Sequence, residues 1–419
     1  MVDNFVFSGL SYALRLFNNL VIFALLARFF PIEVFGIISL LIVLVKMSEV
    51  FMDYGHKMII VKELSTQQEM FDEIYLVDKI NIKIVTYFFV LLILLGYGST
   101  SNFWGYNPIV MVFVSLSGFF LSLSNVLVSI FHSYNKYILE TISLLVFSIF
   151  LGLSLILSRI MVSEVSFLFG YMVGAFMMFY VSYILLTRSI KKISVIKLLN
   201  NMTFAGLKKE LIVVLPFSSI VIVEAVFGNF DTILVENYCS QIDLGIFSGV
   251  KKIIAGLSIL MLVCASALMP LLSRMSKSNL FQTKIKIVGL FGIVTFLGAT
   301  IFFFYYLFNE QIVNLLLGDK FSIITEWDTQ IGIICLASYI RIVPGIYFIT
   351  ADRENIRLFI TAMALFIGSI FLVTTLPGLD VKYAVRAITR IHIFTTIAYV
   401  VIFIIVLFFS RERNTIEST

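Results

Sequence analysis

Apolar residues run along this chain in long unbroken stretches, with neither period-two alternation nor the polar stripe that marks the wet face of a soluble helix. Crossing ~30 Å of hydrocarbon takes about 20 such positions. Twelve spans are predicted: Phe5–Ala27, Val34–Met52, Ile84–Leu95, Ile109–Phe131, Thr141–Leu157, Val165–Leu186, Leu211–Asn229, Leu244–Leu268, Ile287–Phe308, Thr329–Thr350, Leu358–Leu376 and Tyr383–Phe409. The turn-rich segment Gly96–Pro108 separates the third from the fourth, and its Trp104 and Tyr106 suit an interfacial belt. The pattern implies an all-α integral membrane protein, because a helix satisfies its own backbone groups in lipid and the signature of a membrane barrel is missing.

Composition agrees. The 419 residues are 60% hydrophobic and 13% charged, with 43 Phe, six Pro and a mean hydropathy of +1.05, which excludes a soluble globular domain. The opening Met1-Val-Asp-Asn4 lacks a basic n-region and leads into an apolar stretch too long for a signal peptide, so a first span is expected there. Nineteen basic residues fall in the tail or in loops after even-numbered spans, against five at the opposite ends, Arg28, Arg159, Lys320, Lys382 and, in the first turn of the last span, Arg386. Positive loops stay cytoplasmic, so both termini are expected on that side.

The longest basic connection, 188–210, divides the chain into a six-helix bundle at 1–187 and a second at 211–419. It is expected to set topology rather than to bind a ligand. A short repeat agrees with the division: Ile32-Glu-Val-Phe-Gly-Ile37 and Ile242-Asp-Leu-Gly-Ile246 each enter the second helix of their bundle. Repeats related by an axis along the membrane normal place a central cavity between the bundles. Arg15 precedes Gly36 by 21 residues and Glu224 precedes Gly245 by 21, so the repeat would set a base and an acid at matching positions.

Six bases stand inside the apolar stretches beyond their first turn: Arg15, Lys46, Lys251, Lys252, Arg341 and Arg390. One base at the bilayer centre costs about 2.5–3.5 kcal/mol, so six facing lipid would cost roughly 15–20 kcal/mol. They are expected to point inward, toward a hydrated cavity suited to an anion. A rise of 1.5 Å per residue puts Arg15 and Arg341 near mid-bilayer, and their guanidinium forks suit phosphate oxygens. Lys46 shares a helical face with Glu49, as a ligand contact or as half of an internal ion pair. Lys251, Lys252 and Arg390 lie in the outer half, where long chains can also snorkel to the interface. Glu224 and Asp231 lie on one helical stripe, as counter-charges to Arg15 or Arg341 or as protonatable coupling groups. His392, two residues from Arg390, is placed to titrate within the membrane.

Other chemistries find little support. Cys239, Cys264 and Cys335 share no metal or redox spacing, and no Gly-x-x-x-x-Gly-Lys-Ser/Thr sequence occurs. The longest outer connection, about Asn309 to Asp328, carries Glu310, Asp319, Lys320, Glu326 and Asp328 in no catalytic arrangement. No catalytic residue, metal site, cofactor or nucleic-acid partner is expected. An exporter of cationic small molecules, the alternative function, would need acids to dominate the interior.

Phe30-Pro-Ile-Glu-Val-Phe-Gly36, Phe51-Met-Asp-Tyr-Gly-His-Lys57 and Lys62-Glu-Leu64 resemble the opening of the bacterial O-antigen flippases (Wzx), in the polysaccharide transporter branch of the MATE-like superfamily. Leu215-Pro216, Asn229-Phe-Asp-Thr-Ile-Leu234, Leu244-Gly-Ile-Phe-Ser248, Met269-Pro270 and Leu316-Leu-Gly-Asp-Lys-Phe321 are similar to that family's second half. The resemblance implies a multi-pass protein of the bacterial inner membrane. Its implied cargo is an undecaprenyl-pyrophosphate-linked oligosaccharide, the O-antigen repeat unit, carried from the cytoplasmic to the periplasmic leaflet. Implied partners are membrane lipid, an O-antigen polymerase and a chain-length regulator. With a whole transport path in one chain, a monomer is expected.

Overall fold

The computed structural model describes residues 2–66, 71, 73–100, 108–161, 163–190, 204–275, 281–351, 353–376 and 380–409. Trp104, Tyr106 and most of the 188–210 connection lie outside them. The elements are helices α1 (Val2–Phe29), α2 (Ile32–Asp53), α3 (His56–Thr66), α4 (Glu73–Thr100), α5 (Pro108–Ser133), α6 (Tyr137–Met161) and α7 (Glu164–Ser189). There follow α8 (Phe204–Tyr238), α9 (Gln241–Leu257), α10 (Ile259–Met275), α11 (Phe281–Leu316), a 3-10 helix (Asp319–Trp327), α12 (Asp328–Thr350), α13 (Glu354–Thr375) and α14 (Val381–Phe409). Eleven of these runs are long and apolar enough to cross a membrane. The bent pair α9–α10 makes the twelfth.

Packing groups the chain into two units, Met1–Ser248 and Gly249–Thr419, so the first unit reaches past the basic connection to take in α8 and the start of α9. In this unit small residues let helices approach closely, as lipid-embedded helices require. A Cβ on Gly118 of α5 would stand 2.6 Å from the Cβ of Ser48 on α2, and one on Gly170 of α7 would stand 2.3 Å from the Cβ of Ser154 on α6. The serines of α5 are buried without leaving hydroxyls unpaired. Ser117, Ser124, Ser129 and Ser133 each return a hydrogen bond to the carbonyl four residues earlier.

Turn chemistry sets the joints. After Asp53, Tyr54 (φ 50) and Gly55 (φ 77) adopt left-handed backbone, which ends α2 and starts α3 where the sequence pattern had indicated only a loop. The expected span Leu244–Leu268 is broken at Ser258, with a bend of 41°. Its cause is a substituted hydrogen bond. The Tyr339 hydroxyl donates to the Leu257 carbonyl at 3.0 Å, while Met261 N turns to Ser258 O at 3.1 Å. The expected connection Asn309–Asp328 is also structured. Helix α11 continues past a kink at Phe308 to Leu316, and the chain then reverses at Gly318, whose φ of 88 favours glycine.

Gly36 and Gly245, the matched positions of the sequence repeat, pack directly against each other. A Cβ on Gly36 would lie 2.6 Å from Gly245 N, and one on Gly245 only 2.1 Å from the Ile32 carbonyl oxygen. Backbone cannot swing aside as a side chain can. Gly245→Ala is therefore expected to lower stability by about 1–3 kcal/mol through overpacking, read as a fall in the thermal unfolding temperature of the purified protein. Alanine at Gly289, where no atom lies within 4 Å of a new Cβ, should leave that temperature unchanged.

Candidate functional site

Among the described residues, one group of polar side chains inside apolar helices stands out in each packing unit. In the first unit, Arg15 Nη2 on α1 donates to Glu140 Oε1 at 2.6 Å, and Glu140 Oε2 meets His132 Nε2 at 2.6 Å. Glu140 is 3% exposed, so two basic groups hold a buried carboxylate. Glu140 belongs to the first turn of α6 and His132 to the last turn of α5. The Arg15 guanidinium thus lies level with these helix ends, closer to the inner surface than the rise along α1 suggested. Side chains on a helix lean toward its N-terminus, and a long arginine exaggerates the lean.

Lys46 and Glu49 do not bond each other. Lys46 Nζ donates to Asn19 Oδ1 at 3.0 Å, and Glu49 Oε1 accepts from Asn125 Nδ2 at 2.7 Å. Lys46 remains exposed between the buried Val45 and Ser48. Lys57 on α3, counted in the sequence only as a topology signal, joins this group electrostatically. Burial, and after it the positive charge of Arg15, hold its ammonium below the usual lysine range, against the opposing pull of Glu49, Asp53 and Glu140.

A second pair here escaped sequence reasoning altogether. Lys83 Nζ, fully buried on α4, donates to Asp53 Oδ1 at 2.9 Å and to Ser122 Oγ at 2.7 Å. Lys79, also buried, has Glu63 at 3.7 Å. Both precede the expected third span, Ile84–Leu95, and so fall in a loop of the sequence pattern. Helix α4 instead begins at Glu73 and carries them inward, which is tolerable because partners await them. Glu224 is half-buried and Asp231 buried on α8, and Asp231 Oδ1 accepts from the backbone N–H of Thr232 at 2.7 Å. Arg15 takes Glu140, not either of these, as its carboxylate.

The second unit holds the other expected arginine. Arg341 on α12 reaches His392 Nδ1 on α14 at 2.8 Å, Ser338 Oγ at 3.2 Å and, through Nε, the Ala337 carbonyl at 3.3 Å. Every partner is formally neutral or, at His392, basic. Its Nη1 nitrogen, with two N–H donors, has no partner among the described residues. Lys251 lies near enough to exert its charge on His392. Lys252 is half-buried and Arg390 is exposed on α14. Thr396 Oγ1 donates to the same Ala337 carbonyl and also lines an apolar groove of ≈ 330 Å³ bordered by Phe291, Ile340 and Val400. The structure therefore joins Arg341 to His392, which the sequence had set 51 positions apart. A guanidinium with a free edge and no carboxylate partner among the described residues is equipped to bind an oxyanion.

These features define a class: a multi-pass α-helical membrane protein with the fold of the MOP superfamily transporters. The sequence matches the profile of the polysaccharide biosynthesis protein family over residues 25–326, and the chain belongs to that family. No curated protein matches it in sequence. Among solved structures it is similar to the lipid II flippase MurJ in an inward closed conformation, with TM-score 0.71 and 15% identity, covering 96% of this chain and 87% of that one. It is also similar to an inward-facing multidrug resistance MATE transporter, with TM-score 0.65 and 12% identity over 93% and 94% of the two chains. A third is a MOP superfamily transporter from Pyrococcus furiosus described by the reverse polarity of its binding pocket, with TM-score 0.55 and 13% identity over 96% and 94%. At such identities the likeness shows the fold alone.

Removing one member of a buried ion pair strands the other. Asp53→Asn should therefore destabilise the protein by about 3–5 kcal/mol, while Asp53→Leu combined with Lys83→Met should recover most of that loss. Thermal unfolding of the single and double variants measures the difference.

Proposed function

We propose that this protein carries an undecaprenyl-pyrophosphate-linked oligosaccharide, an O-antigen repeat unit, from the cytoplasmic to the periplasmic leaflet of the bacterial inner membrane. Membership of the polysaccharide biosynthesis family supports a glycan pathway. The observation that carries the reading is Arg341: a guanidinium within a span whose hydrogen bonds all go to groups without negative charge. A buried cation ordinarily has an acid beside it. Here a phosphate group of the cargo supplies the missing charge, and the planar fork binds it through two parallel bonds. Without such partners, desolvating a pyrophosphate would cost tens of kcal/mol on a Born estimate.

In this proposal Lys251, Lys252 and Arg390 extend the positive field of the second bundle, and Arg15 and Lys46 receive the head group at the inner mouth. Glu224, Asp231, Glu49 and His392 are the groups placed to couple movement to a proton. The bundles 1–187 and 211–419 rock to expose the site to one leaflet and then the other. An inside-negative potential assists, by about 2.3 kcal/mol per net negative charge per 100 mV.

The test is movement of a fluorescent polyprenyl-pyrophosphate glycan in vesicles containing the purified protein. Arg341→Ala should slow it by about 30-fold or more, since truncating one side of a buried charge contact costs 2–5 kcal/mol. Arg341→Lys should fall between, keeping the charge and losing the fork. Wild-type rates in both variants, with intact insertion, would remove the assignment.

A further inference from the structure

Helices preceding the basic 188–210 connection pack against helices following it at several places, α3 on α8 among them, and two of those contacts lie at the ends away from the connection. One is the Gly36–Gly245 crossing of α2 and α9. The other joins α4 to α8, where the Tyr97 hydroxyl donates to Glu236 Oε2 at 2.5 Å. Glu236 is 0% exposed, and its Oε1 has no hydrogen-bond partner among the described residues. Among the described residues no basic group acts on it; the side chain that does is Tyr97.

The remaining ionisable groups on the neighbouring elements are engaged elsewhere or sit at other levels. Asp243 on α9 takes the N–H and hydroxyl of Ser240. Arg159 on α6 donates to the Phe29 carbonyl. Asp231 on α8 accepts from Thr232, Glu33 opens α2, and Arg28 and Tyr238 are exposed. Lys46, Glu49, Asp53, Lys79 and Lys83 on α2 and α4, with Lys57 and Glu63 on α3, gather toward the inner ends.

An ionised carboxylate this deeply buried, with no cation beside it, costs several kcal/mol. A protonated one does not. We propose that Glu236 is a proton-binding site whose occupancy locks this outer closure. While α2 and α4 meet α8 and α9, the proton rests on Oε1 and Tyr97 secures Oε2. When those ends part, water reaches the carboxyl, the O–H bond breaks and the proton passes to outer water, leaving a carboxylate. Reclosure requires that carboxylate to take a proton back from the same side. The site is made for a proton rather than a metal ion: hard cations gather about six oxygens, and Glu236 with Tyr97 supplies three.

The test needs no cargo, so it stands apart from the transport reading. Spin labels are placed at the exposed positions Phe29 and Ile242 as F29C and I242C, with C239A, C264A and C335A, and their separation is measured in lipid nanodiscs. The short-distance population should exceed the long one at pH 5, and the ratio should fall by about tenfold by pH 8. Glu236→Gln, which is neutral at every pH, should hold the short distance throughout, and Glu236→Met gives a second neutral variant should the amide fold poorly. Three results would overturn the proposal: a wild-type pH response in both neutral variants, distances that ignore pH in the parent, or a response to sodium at fixed pH in its place.

Discussion

Hydrocarbon offers no hydrogen bonds, and nearly every local feature of this protein follows from that single constraint. Hydroxyls on α5 turn back to their own helix, and Ser11 on α1 pairs with Thr141 on α6 at 2.9 Å. Lysines enter the first unit where a polar partner meets them, Asp53 for Lys83 and the Asn19 amide for Lys46. Where a helix breaks, a side chain fills the gap: Tyr339 bonds the Leu257 carbonyl at the bend between α9 and α10. Close backbone approach works on the same logic, since without a hydrophobic drive between lipid-embedded helices, contact area and small residues must hold them together.

Against that background the two groupings differ in kind. Around Glu140, two bases surround one carboxylate, and charge is largely settled within the protein. Around Arg341 it is not. A guanidinium bonded to a carbonyl, a hydroxyl and an imidazole keeps its positive field for something else, and its free Nη1 edge gives that field a direction. The same contrast, inverted in sign, marks Glu236: a buried acid answered by a phenol rather than by a base. Groups left uncompensated in so apolar a setting are the places where a ligand or a proton has a role.

Legibility in the sequence followed the range of the interaction. Eleven of the twelve expected spans recur as continuous helices, because a run of apolar residues is a local property read without knowing any partner. The twelfth is divided at Ser258 by a hydroxyl from residue 339, which no inspection of residues 244–268 could reveal. Lys79 and Lys83 were misplaced for a like reason, since charge made them look like loop residues until Asp53 and Glu63 were brought beside them. The motif Asp53-Tyr-Gly55 was visible, yet only backbone geometry shows that it joins two helices. Arg15 and Arg341 looked equivalent as midspan arginines. Their neighbours, Glu140 for one and His392 for the other, separate them.

What the sequence by itself determined was the membrane class, the number of spans and part of the set of charges carried into them, since each of these depends on composition along a single segment. Tertiary structure decided which of those charges are cancelled. Cancellation depends on distances of about 3 Å between helices that are far apart in the chain, and a Coulomb partner in low dielectric changes a cation from a structural brace into a binding group. It likewise brought Gly36 and Gly245 together, because only packing in three dimensions shows that two equivalent glycines are each other's neighbours.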